Sequence, residues 1–312
     1  MVDEEDRVCL AKGAGMPISE VEFVDTPLLR VGYEVLGEPG GQTVVLLHGF
    51  PYDVRSYDDV APRLAKAGIR VVAPYLRGYG PTKFLSDQTL RSGQQAALGQ
   101  DLIDLMDALG VERAIVAGYD WGGRAACVAA ALFPERIDGL VTVSGYPIQD
   151  IGGSVEPAAP LDEKLAWYQY YFHSERGRRG LERDREDLCR LLWRDWSPEW
   201  VEAETAFAAS ASSLHNSDFV DIAVHSYRHR FGLAVGDPRY DDLEGRLAQR
   251  PTISVPTVSV DGGADGFGWF DSSEHASYFS GSFQRVLLPG VGHNPPQEDP
   301  AAFSDAVLTL VH

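Results

Sequence analysis

The sequence is poor in cysteine, in positive charge and in long apolar runs. Cys9, Cys127 and Cys189 are the only cysteines in 312 residues. An odd, widely spaced set like this frames neither disulfides nor a metal site. Cys127 lies in an apolar helical run and reads as a small core residue. The eight histidines contain no HExxH-type pairing. His225 and His229 are four apart but have no third ligand near in sequence, so they read as packed or solvated side chains and no metal is expected. No segment approaches the roughly 18–20 unbroken apolar residues of a membrane span. The opening MVDEEDRVCLAKGAG has no apolar signal-peptide core. It reads as disordered, and the protein as cytoplasmic. Lys and Arg number 27 against 46 Asp and Glu, a net charge of −19. That balance repels phosphate backbones and anionic lipid surfaces. Nucleic acid and membrane are thus excluded as partners, and a small molecule remains.

What is present is the pattern of an α/β domain. Hydrophobic residues make up 44% of the chain and charged residues 23%, as in ordinary globular proteins. Two strand-like stretches, Val21–Val24 and Leu29–Val35, are separated by turn residues and predict an antiparallel pair. Continuous apolar runs follow at Val44–Phe50, Ile69–Pro74, Ala114–Asp120, Leu140–Gly145, Thr257–Gly263 and Arg285–Gly290. Such runs fit strands buried on both faces of a parallel sheet. Helical spacing lies between several of them, as at Leu98, Leu102, Leu105 and Leu109. The expectation is a mostly parallel sheet with helices on both faces.

The alternation breaks between about Ile148 and Pro251. This stretch has helical spacing, no strand-like run, and four of the six tryptophans: Trp167, Trp193, Trp196 and Trp200. It predicts a helical lid over the C-terminal edge of the sheet. The domain reading is a core of residues 1–147 and 251–312 with a cap of residues 148–250.

The densest chemical signal is Gly118-Tyr119-Asp120-Trp121-Gly122-Gly123. Small residues flanking a central side chain permit a sharp strand-to-helix turn that lifts that side chain above the sheet. Hydrolases with this turn usually place Ser there; here it is Asp120. Alone, Asp120 could equally be a helix N-cap. It does not stand alone. His48-Gly49-Phe50-Pro51 ends an earlier strand, where a backbone N–H could serve an oxyanion hole. Asp265 follows a later strand in DGGADG, and His293 sits in GVGHNPPQEDP. The chain order of nucleophile, acid and histidine is that of the α/β-hydrolase triad. Each member falls at the C-terminal end of an expected strand, where open α/β sheets bind ligands.

From about Val21 onward the chain resembles the α/β-hydrolase superfamily, and within it the Asp-nucleophile branch of epoxide hydrolases and dehalogenases, most closely a bacterial epoxide hydrolase. HGFP, RGYG at Arg77–Gly80, GYDWGGR and GVGHNPPQEDP carry the resemblance. Tyr75 departs from it, standing where the family often has Asp, and is not expected to touch catalysis. The resemblance implies a cofactor-independent hydrolase. Asp120 would displace an epoxide oxygen from saturated carbon to form an alkyl ester. His293, held by Asp265, would activate water against that ester, with the N–H groups of Phe50 and Trp121 as oxyanion donors. The product would be a vicinal diol.

An alkoxide leaving group needs a proton, which epoxide hydrolases of this type supply from lid tyrosines. Tyr168, in Trp167-Tyr168-Gln169-Tyr170-Tyr171-Phe172, and Tyr227, in Ser226-Tyr227-Arg228, match those positions. Trp167 competes with Tyr168, because adjacent helical residues point in different directions. Tyr170, Tyr171 and Phe172 read as lid packing. A dehalogenase with the same triad is the alternative, with Trp121 supplying a halide donor, and a catalytically silent binding protein is a third reading. Phe50 stands where haloalkane dehalogenases carry Asn. Haloacetate enzymes share HGFP and Arg124 but place Arg directly after the nucleophile; Trp121 there argues against a small anionic substrate. Phe50, Pro51 and Trp121 are the expected substrate contacts. The aromatic lid suggests a bulky, aromatic epoxide, as in natural-product tailoring. The Ala-, Gly-, Arg- and Asp-rich, Lys-poor composition suggests a high-GC bacterial source. No cofactor is expected, and a homodimer is left open.

Overall fold

A computed structural model describes residues 18–268 and 271–312. The expected disordered start, residues 1–15, and Cys9 lie outside the described residues. The chain begins with strands β1 (Glu22–Asp25) and β2 (Leu29–Leu36), paired antiparallel as their turn residues predict. It continues through β3 (Thr43–Leu47), α1 (Ala61–Lys66), β4 (Arg70–Pro74), β5 (Lys83–Phe84), α2 (Gln95–Ala108), β6 (Ala114–Gly118), α3 (Asp120–Leu132) and β7 (Ile137–Val143). Two-residue β5, which pairs with β2, carries no periodic signal and is not foreseen by the sequence.

Seven helices follow before the next strand: α4 (Pro160–Leu165), α5 (Trp167–His173), α6 (Glu175–Arg183), α7 (Arg185–Trp196), α8 (Ala203–Ser210), α9 (Phe219–His229) and α10 (Asp241–Leu247). Strands β8 (Thr257–Gly262) and β9 (Phe283–Leu288) then complete the sheet, with α11 (Pro295–Glu298) and α12 (Pro300–Leu308) after them. Helix α5 packs on α6 and α9, whereas α10 packs back on α2 and α3. Among the described residues no helix is long and apolar enough to cross a membrane.

Strand order is β1-β2-β4-β3-β6-β7-β8-β9. β2 is antiparallel to its neighbours; from β4 to β9 every pairing is parallel. Every residue of β3 (TVVLL) and β6 (AIVAG) is buried, which explains why these strands read as unbroken apolar runs rather than alternating ones. They lie side by side, with Leu47 opposite Gly118. The loop after β3 and the turn after β6 therefore emerge together at the same edge. Strand order reverses here, the place where open α/β sheets form their ligand crevice.

Candidate active site

The turn after β6 is tight because its glycines let backbone meet backbone. A Cβ on Gly122 would fall 1.9 Å from the Leu47 carbonyl oxygen, and one on Gly118 would fall 2.5 Å from the Gly122 carbonyl carbon. At the apex Asp120 takes φ = +49°, a left-handed value that non-glycine residues rarely adopt. The side chain is thereby lifted from the sheet. The N-cap alternative fails. Tyr119 occupies the cap position, and Asp120 is the first residue of α3. Asp120 Oδ1 instead accepts from the Phe50 N–H at 2.7 Å. The Trp121 N–H lies in the first turn of α3, where no intrahelical acceptor exists.

His293 lies beside this carboxylate. Its Nδ1–H donates to Asp265 Oδ2 at 2.8 Å, and its Nε2 lies 3.8 Å from Asp120 Oδ2. The latter distance is too long for a hydrogen bond, and Nε2 has no other partner. The interaction is one of charge. Burial would push the Asp120 carboxyl up, but the imidazolium of His293, the Arg124 charge and the Phe50 N–H hold it below the usual range. Burial would push His293 down; the two carboxylates on either side outweigh it and raise the imidazole to about 10. At rest the pair is carboxylate and imidazolium.

The loop carrying His293 is fixed by residues whose role the sequence leaves unread. Half-buried Glu298 accepts from the N–H groups of Gly292 (2.6 Å) and Asn294 (3.0 Å) and from Ser197 Oγ (2.7 Å). Ser197 Oγ in turn accepts from the His293 N–H at 3.1 Å. Glu298 is visible in the PQEDP tail of the motif, but Ser197 comes from the helical segment and carries no local signal.

Helices between β7 and β8 cover the site with aromatic rings. Phe50, fully buried, meets Trp121 at 5.4 Å, Tyr227 at 5.2 Å and Tyr168 at 6.4 Å between centroids. Tyr168 and Tyr227 touch edge to face at 5.2 Å. The Tyr227 hydroxyl is buried with no hydrogen bond of good geometry, although it lies close enough to Tyr168 to affect its ionisation. Burial raises both phenols, Tyr168 to about 12 and Tyr227 well above its ordinary value, so both remain protonated donors at neutral pH. Trp167 points elsewhere: it is 37% exposed, whereas its neighbour on α5, Tyr168, is buried against Phe50 and Tyr227. Trp196, read in the sequence only as lid content, packs 4.9 Å from the His293 ring.

Pro51 does not open onto free space. Its carbonyl accepts from Trp193 Nε1 of α7 at 3.0 Å. Two residues on, buried Asp53 accepts from Ser210 Oγ at 2.6 Å and Ser213 Oγ at 2.5 Å. Three donors, from α7, the end of α8 and the turn after it, therefore grip the loop whose Phe50 N–H meets Asp120.

The remaining sequence candidates are structural. His48 Nδ1–H donates to the Gly49 carbonyl and Nε2 accepts from the Leu76 N–H, a neutral ring that burial lowers to about 4. Tyr75 donates to Glu34 at 2.9 Å, and Arg77 is paired with Asp101 at 2.6 Å. His225 uses both nitrogens on backbone groups, Gly93 N–H and the Val235 carbonyl. Cys127 is buried in α3 against Thr142.

Comparison with known proteins places the fold. The family described as alpha/beta hydrolase fold matches residues 42–240. Epoxide hydrolase A of Mycobacterium tuberculosis is 27% identical over 93% of this chain and 96% of its own length. Epoxide hydrolase B of the same organism is 34% identical over 58% of this chain and 54% of its own. A crystal structure of a candidate epoxide hydrolase from Klebsiella pneumoniae superposes with a TM-score of 0.92, at 43% identity, over 93% of this chain and 97% of that one. With the parallel sheet, the strained turn after β6 and the match across most of the sequence, this chain belongs to the α/β-hydrolase fold family.

Proposed function

We propose that the protein is an epoxide hydrolase that opens an oxirane to a vicinal diol through an alkyl ester on Asp120. The observation that carries this reading is the pair of buried, protonated phenols, Tyr168 and Tyr227, set over the same aromatic floor as Asp120, with the Tyr227 hydroxyl unpartnered. A buried donor without an acceptor costs roughly 1–3 kcal/mol. An epoxide oxygen would satisfy it. The names of the relatives in M. tuberculosis and K. pneumoniae support the same activity.

In this reading Asp120, kept ionised by His293, attacks one oxirane carbon; the C–O bond breaks and the alkoxide takes a proton from Tyr227 or Tyr168. Esterification removes the negative charge of Asp120. One of the groups that raise His293 is then lost, so its imidazole falls, passes its proton by way of solvent to the phenolate left on the tyrosine, and becomes the base for water. It takes a proton from the water that attacks the Asp120 ester carbonyl; the N–H groups of Phe50 and Trp121 stabilise the oxyanion and Asp265 holds the imidazolium that forms. As the ester C–O bond breaks, the imidazolium protonates the departing diol oxygen, and the acid left on Asp120 returns its proton to His293. The helices within residues 148–250 act as the cap, and the aromatic walls suit a bulky, aromatic epoxide. The unpartnered Trp121 Nε1 favours a second reading, a dehalogenase with the indole as halide donor.

A single turnover in heavy-oxygen water tests the covalent route. The first diol should carry unlabelled oxygen from Asp120, with label entering the enzyme. Label in the first diol would exclude the ester, and halide release from halogenated compounds without diol formation would favour the second reading.

A further inference from the structure

Arg124 and Arg230 stand at the wall of the site without a carboxylate partner. Arg124, one helical turn beyond Asp120 on α3, is 7% exposed. Its Nε donates to the Pro147 carbonyl at 3.2 Å, while Nη1 is buried and bonded to nothing. Arg230, at the end of α9, is held by neutral groups. Nη1 donates to Gln169 Oε1 at 3.0 Å, and the Gln149 carboxamide, turned oxygen inward, accepts from Nε and Nη2 at 2.8 Å each. The Tyr227 face lies 4.7 Å away. These contacts fix the guanidinium but leave its charge uncancelled.

Two like charges, one buried and one half-buried, are costly to hold near each other unless something negative joins them. Their repulsion is felt: burial first, then the Arg230 charge, lower Arg124 to about 10. Asp120 offsets this only in part, from beyond ion-pair distance, and its charge would disappear in the ester. Both arginines line one cavity of about 660 Å³, together with Gln149, Gln169, Phe231 and Phe267. Of its four carboxylates, Asp150, Glu156 and Asp162 are exposed at the rim, and half-buried Glu163 is engaged by the Ala158 N–H and the Tyr170 hydroxyl, so a monoanion is better matched than a dianion.

We propose that Arg124 and Arg230 form a subsite for a carboxylate carried by the substrate, so that the preferred epoxide is an acid with its carboxylate a few bonds from the oxirane. The inference rests on the epoxide hydrolase reading for the ring but not for the anion. Asp120 and Arg124 are one turn apart on α3, ~6 Å of rise, and so share a face of that helix. It also revises the argument from position 121: the charge that Trp121 lacks is supplied from two other positions.

The test compares trans-3-phenylglycidate with trans-3-phenylglycidamide, which keeps the ring and the shape but not the charge. Wild type should prefer the acid in kcat/KM by about ten- to a hundredfold, the range for a charge-assisted hydrogen bond. Arg230→Gln, at a partly exposed cavity wall, should collapse that ratio towards one. Arg124→Lys, which keeps the charge but not the planar fork, should lower it less. Calorimetric binding of both compounds to Asp120→Asn gives a readout that needs no turnover, with the acid expected to bind at least tenfold tighter. Equal opening and equal binding of acid and amide would overturn the subsite and leave the epoxide reading standing. Tighter binding of the acid with neither compound opened would keep the subsite and overturn the epoxide reading. A preference for the acid that survives Arg230→Gln and Arg124→Lys unchanged would overturn the assignment to these residues.

Discussion

Replacing His293 by Gln should change how stability depends on pH, not only how fast the enzyme turns over. In the folded protein the imidazole is raised to about 10 by Asp265 and Asp120, against an ordinary value of 6.5. A group whose folded value lies above its unfolded one adds stability that is complete below the unfolded value. That stability is lost as pH rises through the folded value. A shift of this size corresponds to at most about 5 kcal/mol. The measurement is the urea unfolding free energy of wild type minus that of His293→Gln at intervals from pH 6 to pH 10.5. Taking the difference removes other titrations, such as that of Asp58, which burial raises to about 8. The difference should be largest near pH 6 and shrink steadily through the range above 6.5. A difference that is flat, or that grows with pH, would refute the resting ion pair and with it the account of why Asp120 must be esterified before His293 can act as base.

Three further outcomes are expected. Tyr227→Phe should lower diol formation by about 10²- to 10⁴-fold, the range for a lost general acid, yet leave the melting temperature equal or higher, because the hydroxyl it removes has no partner; a clear fall in melting temperature would show a structural role. Glu298→Gln should loosen the His293 loop, which calorimetric melting and hydrogen exchange at Gly292 and Asn294 would report as a loss of about 1–3 kcal/mol, since a charged acceptor of three bonds is weakened. Gly122→Ala should destabilise by more than about 3 kcal/mol, because a methyl group 1.9 Å from the Leu47 carbonyl forces the turn apart; wild-type folding of that variant would contradict the tightness of the turn.

The sequence reveals much of this arrangement because the relevant features are local. β3 and β6 are buried on both faces, so they appear as apolar runs, and the spacing of Gly118, Gly122 and Gly123 is a direct imprint of backbone contact. Asp265 and His293 follow strands that are read the same way. Features formed by distant partners are not visible. Ser197 holds His293 from 96 residues away, Trp193 reaches Pro51 across 142, and the Arg230 charge is felt by Arg124 only once the chain is folded. The choice between Trp167 and Tyr168 depends on the rotation of α5, which a cluster of aromatic residues on every side does not specify. Pro51 stands out in HGFP as a candidate substrate contact, but the bond its carbonyl accepts from Trp193 of α7 leaves no mark there.

The grip of Trp193, Ser210 and Ser213 on residues 51 and 53 has a consequence for engineering. The roof and the amide that faces Asp120 are fastened as one piece. A foreign roof grafted from a relative would need an indole and two hydroxyls at the same points. Without them the chimera would inherit new specificity with a slack floor.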